Sequence, residues 1–104
     1  MTTKSLSKVF EKKLGPPTFG SYMLAARTMK DMTQKQHADF LKISKSTLCD
    51  IEKGRHFVSI ELAAQLAKKC GLSEALAVEY AIQDSIRRTG LKLKVEITTT
   101  KRAA

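Results

Sequence analysis

Two helix starts and two helix stops are packed into Thr33-Gln34-Lys35-Gln36-His37-Ala38-Asp39-Phe40-Leu41-Lys42-Ile43-Ser44-Lys45-Ser46-Thr47-Leu48-Cys49-Asp50-Ile51-Glu52-Lys53-Gly54. Thr33 followed three residues later by Gln36 is a capping box, in which a hydroxyl and an amide satisfy each other's backbone N–H groups. The helix it opens has room only to about Leu41. Ser44 is a second N-cap, and Lys45 to Lys53 is a second short helix stopped by Gly54. Two short helices joined by about three residues make a helix-turn-helix. Ala38 falls where the two helices approach closely, and Leu41, Ile43, Leu48 and Ile51 fill the space beneath them.

Upstream, apolar residues at helical spacing predict a helix from Thr18 to about Lys30, with Phe19, Tyr22, Met23, Ala26 and Met29 inward. Before it, Lys4 to Leu14 places Leu6, Val9, Phe10 and Leu14 near one face, and Gly15-Pro16-Pro17 ends that segment. Downstream, residues 55–58 read as a loop. Ser59 caps a helix to Cys70 with Leu62, Ala63, Leu66 and Ala67 inward, and Ser73 caps another to about Arg88. The apolar residues of this last helix cover more than one stripe, which predicts burial on a second side by a partner subunit, with a seam around Leu76, Tyr80 and Ile86. After Gly90 the period changes to two: Leu91, Leu93, Val95 and Ile97 alternate with Lys92, Lys94, Glu96 and Thr98. That is a one-faced strand, and a lone strand needs a mate from another chain. The tail from Thr99 to Ala104 is read as disordered. The chain therefore divides into an N-terminal helical extension (1–17), a helix-turn-helix domain (18–88), and a C-terminal strand with a basic tail (89–104).

The chain has 104 residues, of which 42% are apolar and 28% charged, the balance of one globular domain. The absence of a long apolar run rules out a transmembrane helix, and the first residues lack a secretory core, so an intracellular protein is expected. Nineteen basic residues against ten acidic ones leave a net charge of +9, which points to a polyanionic partner. The charge is uneven: residues 1–16, 17–58 and 89–104 each carry +3, while 59–88 is neutral. The neutral part is also the most apolar and is expected to pack; the basic parts are expected to face the partner. Cys49 and Cys70 are too few for a disulfide scaffold, and with His37 and His56 they lack the spacing of a zinc finger.

The residues Thr33-Gln34, Ala38, Leu41, Ile43-Ser44, Ser46-Thr47-Leu48 and Ile51-Glu52-Lys53-Gly54, at their fixed spacing, resemble the helix-turn-helix of the Xre family, which includes lambdoid phage repressors and many bacterial antitoxins. The resemblance implies a mainly α fold: a five-helix lambda-repressor-like DNA-binding domain, here with the extra N-terminal helix and a C-terminal β-strand for dimerisation. It also implies a sequence-specific, dimeric regulator of palindromic double-stranded DNA, bacterial or phage-encoded, cytoplasmic and nucleoid-associated when bound, with no cofactor and no metal. The second helix would lie in the major groove with Lys45, Ser46, Thr47 and Asp50 at base edges, Lys45 donating to guanine and Asp50 accepting from cytosine. Thr33, Gln34, Ser44, Lys53 and Arg55 would meet phosphates, and His56 would add another contact. Glu52 would pair with a basic residue of the first domain helix, for which Arg27 is the candidate. Leu76, Tyr80, Ile86, Leu91, Leu93, Val95 and Ile97 would form the dimer interface.

Three residues depart from the family pattern. His37 stands where Leu is usual, Phe40 where a polar residue is usual, and Lys42 where Gly is usual at the turn. His37 is read as a partly buried structural histidine, with Phe40 taking over apolar contacts. Lys42 would be strained if the turn needs positive φ. Competing functions follow from the parts outside the motif. The basic segment Lys4–Leu14 and the strand could contact a protein toxin, as in antitoxins that also bind their operator. The alternatives are a phage-type or stand-alone regulator without a toxin, and an antitoxin acting mainly by neutralisation. No nucleophile–base pair, carboxylate pair or phosphate-binding loop suggests an enzyme. The amphipathic N-terminal segment is short and poor in large anchors for a membrane surface.

Overall fold

The computed structural model describes residues 17–98, and the expected N-terminal helix and the basic tail lie outside them. Five helices follow in order: α1 Phe19–Met29, α2 Gln34–Leu41, α3 Lys45–Glu52, α4 Ile60–Lys69 and α5 Glu74–Arg88. Each begins at a hydroxyl N-cap. Thr18, Thr33, Ser44, Ser59 and Ser73 each accept a hydrogen bond from the backbone N–H three residues on. Such a cap contributes about 1 kcal/mol, much for helices too short to persist alone. The Thr33–Gln36 box is reciprocal, and α1 carries a second box between Thr18 and Ser21. Gly54, Gly71 and Gly90 take positive φ just beyond α3, α4 and α5, as their places in the sequence require.

The core is built from every helix. Phe19, Met23, Ala38, Leu41, Leu48, Ile51, Ala63, Leu66, Ala67, Ala77 and Ala81 are buried together. Alanine predominates on α4 and α5, which pack closely on each other, and Ala38 is buried between α2 and α3. The turn between α2 and α3 is closed by Lys42 at φ 60°, a left-handed conformation usually left to glycine. The Ile43 N–H donates to the Ala38 carbonyl at 3.0 Å to complete the turn. The Lys42 side chain is exposed, so its Cβ strain is the only cost of the missing glycine.

Two expectations need correction, and the surroundings of the expected seam become visible. Met29 is 83% exposed rather than inward, because it sits on the last turn of α1, beyond the reach of the core. Within the expected seam of Leu76, Tyr80 and Ile86, the side chains meet different neighbours in the chain itself. Tyr80 turns inward and meets Tyr22 edge-to-face at 5.2 Å, whereas Ile86 lines a groove with Phe57, Ile60 and Ile82. The second correction concerns residues 91–98: no strand forms among the described residues. The segment runs alongside α5 as an arm, because the protomer offers it no neighbouring strand and the side chains of α5 take that place. Gln83 Nε2 donates to the Leu93 carbonyl at 2.7 Å, and Gln83 Oε1 accepts from the Val95 N–H at 2.7 Å. Glu79 Oε1 accepts from the Ile97 N–H at 2.8 Å. Leu91 and Leu93 of the arm are each 57% exposed, while Val95 and Ile97 are half-buried.

Candidate nucleic-acid interface

Helix α3 is held rigidly from behind. Leu48 and Ile51 anchor its inner face in the core. At its C-terminal end, Glu52 has a side chain only 4% exposed, where a carboxylate opposes the helix dipole and needs compensation. Arg27 of α1 supplies it with a bidentate grip, Nε to Oε2 at 2.8 Å and Nη2 to Oε1 at 3.2 Å. Gln34 of α2 adds Nε2 to Oε1 at 2.9 Å, and Arg27 Nη1 reaches the Met32 carbonyl at 3.1 Å. One carboxylate thus ties α1, α2 and α3 together, and the pairing of Glu52 with Arg27 is as expected. α1 also approaches the end of α3 closely at Gly20, where a Cβ would lie 2.3 Å from the Ile51 carbonyl oxygen.

The opposite face of α3 is open. Ser44, Lys45 and Ser46 are exposed, and Thr47, Cys49 and Asp50 are half-buried. Lys45 and Ser46 make no side-chain hydrogen bond or ion pair among the described residues. The Ser44 hydroxyl accepts from the Thr47 N–H and donates to Thr47 Oγ1 at 2.7 Å, which leaves the Thr47 hydroxyl proton available. Asp50 Oδ1 holds Arg55 Nη2 at 3.2 Å, and the Asp50 carbonyl accepts from the Arg55 N–H at 2.8 Å. The pair spans the end of α3 and the loop after it, so Asp50 is available to a ligand only alongside Arg55. Lys53, Arg55 and His56 are exposed there. Thr33 is exposed at the start of α2, whereas Gln34 is half-buried by its bond to Glu52.

The departures from the expected pattern sit behind this surface. His37 is fully buried rather than partly so, at 0% exposure. Its Nε2 lies 3.5 Å from Cys70 Sγ, and its Nδ1 has no partner among the described residues. Phe40 stacks on the imidazole at 6.4 Å and remains partly exposed beneath Lys30, so it covers His37 instead of replacing it. Burial pushes the His37 pKa below its ordinary value; Glu52 opposes this, and Lys30 and Arg27 add to it. Burial likewise raises the Cys70 thiol, which keeps it protonated and inert. Asp84 of α5 accepts from the Phe19 N–H at 3.1 Å at the start of α1, and burial raises its carboxyl despite that bond and the nearby Arg87 and Arg88. Of the residues that hold the arm, Gln83 and Glu79 carry no sequence signal beyond being polar residues one turn apart on a helix.

No group of His, Cys, Asp and Glu residues among those described could hold a metal ion, and none of the described helices is long and apolar enough to cross a membrane. The model of a helix-turn-helix family matches residues 23–76, from the middle of α1 to the first turn of α5. No curated protein and no solved structure matches the chain.

Proposed function

The chain belongs to the helix-turn-helix family of Xre, Cro and C1 type, a DNA-binding family of transcriptional regulators, and from that premise we propose that it is a sequence-specific repressor acting as a dimer on a palindromic site. The observation that carries this reading is the contrast across α3. Its inner face is clamped by Glu52, Arg27 and Gln34, while Lys45 and Ser46 stand exposed and unpaired on its first turn. A pre-positioned helix with free donors at its N-terminal end suits base edges in the major groove. Lys45 donates to guanine, Ser46 and Thr47 follow, and Asp50 contacts the site together with Arg55. Phosphates meet the N-terminal end of α2 at Thr33 and Gln34, the Ser44 cap, and the Lys53–Arg55 loop with His56. Repression follows from occupying a promoter.

The dimer is made by the C-terminal part. α5, with three acidic residues against two basic ones, and the arm lie outside the helix-turn-helix, and two copies joined there would present two α3 helices to successive major grooves about 34 Å apart. The test is a titration of the whole protein against duplexes carrying its own promoter and against random duplexes, at several salt concentrations. Affinity is expected to fall linearly in log against log of salt, and to be higher for the promoter. Lys45→Ala is expected to cost about 1–3 kcal/mol at a single base position, and Lys53→Ala to weaken all sequences alike. Equal affinity for promoter and random duplex would overturn the repressor reading.

A second reading, neutralisation of a protein toxin, is favoured by one observation: the exposed leucines 91 and 93 lie outside the family span. An antitoxin is expected to copurify with its toxin from the native source in a fixed ratio, and to lose it when the arm is removed.

A further inference from the structure

The arm has two edges, and only one is used. The groups bonded to α5 are the Leu93 carbonyl, the Val95 N–H and the Ile97 N–H, all from odd-numbered residues. In extended chain, alternate residues direct their backbone groups to opposite edges. The N–H and C=O groups of Lys92, Lys94 and Glu96 therefore face away from α5, and they make no hydrogen bond among the described residues. Gln83 and Glu79 act as a substitute neighbouring strand, one helical turn apart, and leave an open edge on the other side.

The side chains along the arm are complementary about Val95, with Lys94 on one side and Glu96 on the other. The part of the arm fixed by α5 runs from Leu93 to Ile97, and Val95 is its midpoint. A two-fold axis there sets Lys94 opposite Glu96 in both halves, Lys92 opposite Thr98, Leu93 opposite Ile97, and Val95 opposite itself. The polar residues then occupy the hydrogen-bonded pairs, and the apolar ones the closer non-hydrogen-bonded pairs. The neighbouring registers are worse. An axis at Lys94 opposes two ammonium groups, one at Glu96 opposes two carboxylates, and one at Leu93 sets Lys92 against Lys94. The axis at Lys94 would add a contact for Leu91. However, the Leu91 N–H is still bonded to the Thr89 hydroxyl, and its side chain lines the groove beside Ile86 in its own protomer.

We infer that the open edge of the arm is occupied by the arm of a second copy, antiparallel and in the single register with Val95 on the two-fold axis. The inference rests on the dimer reading above and specifies its clasp. Gln83 and Glu79 are positioning residues: they set which edge faces the partner.

The experiment uses the full chain with Cys49→Ser, leaving the buried Cys70 in place. Sedimentation at micromolar concentration is followed by mild oxidation of Leu93→Cys, Lys94→Cys and Val95→Cys variants. The expected result is a dimer in which Val95→Cys cross-links to itself in high yield and the other two do not. Lys94→Glu is expected to weaken the dimer on the order of tenfold, Glu96→Lys added to it to restore most of the loss, and Lys92→Glu to have little effect. A dimer that cross-links through Lys94→Cys and is weakened by Lys92→Glu overturns the register but keeps the dimer. A monomer throughout overturns the dimer reading as well. Gln83→Ala supplies a further arm: it is expected to reduce both dimer affinity and the Val95→Cys yield, and unchanged values would remove Gln83 from the clasp.

Discussion

Single residues set the geometry of the DNA-facing unit. Gly20 is required for space and not for a turn, since a side chain there would collide with the Ile51 and Glu52 carbonyl oxygens. Backbone atoms at the end of a capped helix cannot step aside, so Gly20→Ala is expected to destabilise the domain by about 2–3 kcal/mol in urea unfolding. It should also move α3 relative to α1 and weaken DNA binding beyond the loss of folded protein. His37 governs the response to acid. Its folded pKa is depressed by burial, so it binds a proton more readily in the unfolded chain. The stability it contributes is present above its ordinary pKa of 6.5 and is lost as pH falls through the lower folded value. Unfolding free energy is therefore expected to decline as pH is lowered from 6.5, and His37→Leu to flatten that slope. Asp84 works in the opposite sense: its raised carboxyl favours the protonated native state, and that contribution is lost as pH rises through its folded pKa. A decline below pH 6.5 that persists unchanged in His37→Leu would assign the slope to other groups.

At the scale of elements, short helices are made dependable by their ends. α2 and α3 have eight residues each, too few to be stable alone, and both begin at a side-chain cap. Their far ends are also tied. Lys69 Nζ reaches the Leu41 carbonyl at 3.2 Å at the end of α2, and Lys30 Nζ reaches the Cys70 carbonyl at 3.0 Å at the end of α4. These lysines keep their charge, but each spends a donor on holding a helix end. The end of α3 depends on Glu52. Glu52→Ala would leave Arg27 and Gln34 without their acceptor at a largely buried place, at an expected cost of about 2–3 kcal/mol, below the full range for buried pairs because Arg27 keeps some contact with water. Glu52→Gln keeps an acceptor and is expected to cost less. Thermal unfolding of the two variants measures the difference; equal losses would show that the charge, and not the hydrogen-bonding geometry, holds the three helices.

At the scale of the whole molecule, the core and the arm are separate parts. The core lies within α1 to α5, whereas the arm is attached through the side chains of Gln83 and Glu79 and keeps its leucines exposed. Truncation after Gly90 is expected to leave helix content and the unfolding midpoint nearly unchanged. It should also abolish the dimer and reduce affinity for a palindromic site far more than for a half-site. Circular dichroism, sedimentation and binding to the two duplexes provide the three readouts. Loss of helix on truncation would make the arm part of the core, and a truncated dimer would move the interface to the apolar groove of Phe57, Ile60, Ile82 and Ile86.

The amino-acid sequence by itself determined the five helices from Thr18 to Arg88, their caps and their stops, because each such signal is a bond between residues three or four apart. It also determined the helix-turn-helix spacing, and the Glu52–Arg27 pair through the family resemblance. Whether the turn at Lys42 is left-handed was open in a sequence without its glycine, and the structure shows that the turn keeps its shape. Only the tertiary structure decided what each face meets. Met29 continues the apolar stripe of α1, yet the stripe outruns the core. Tyr80 meets Tyr22 edge-to-face, and His37 is sealed beneath Phe40. The alternation from Leu91 to Ile97 identified extended chain, but alternation says nothing about what lies at its edge. That depended on Gln83 and Glu79, brought there by the turn after α5, and an amide side chain can stand in for a strand only where the fold places it beside a free backbone.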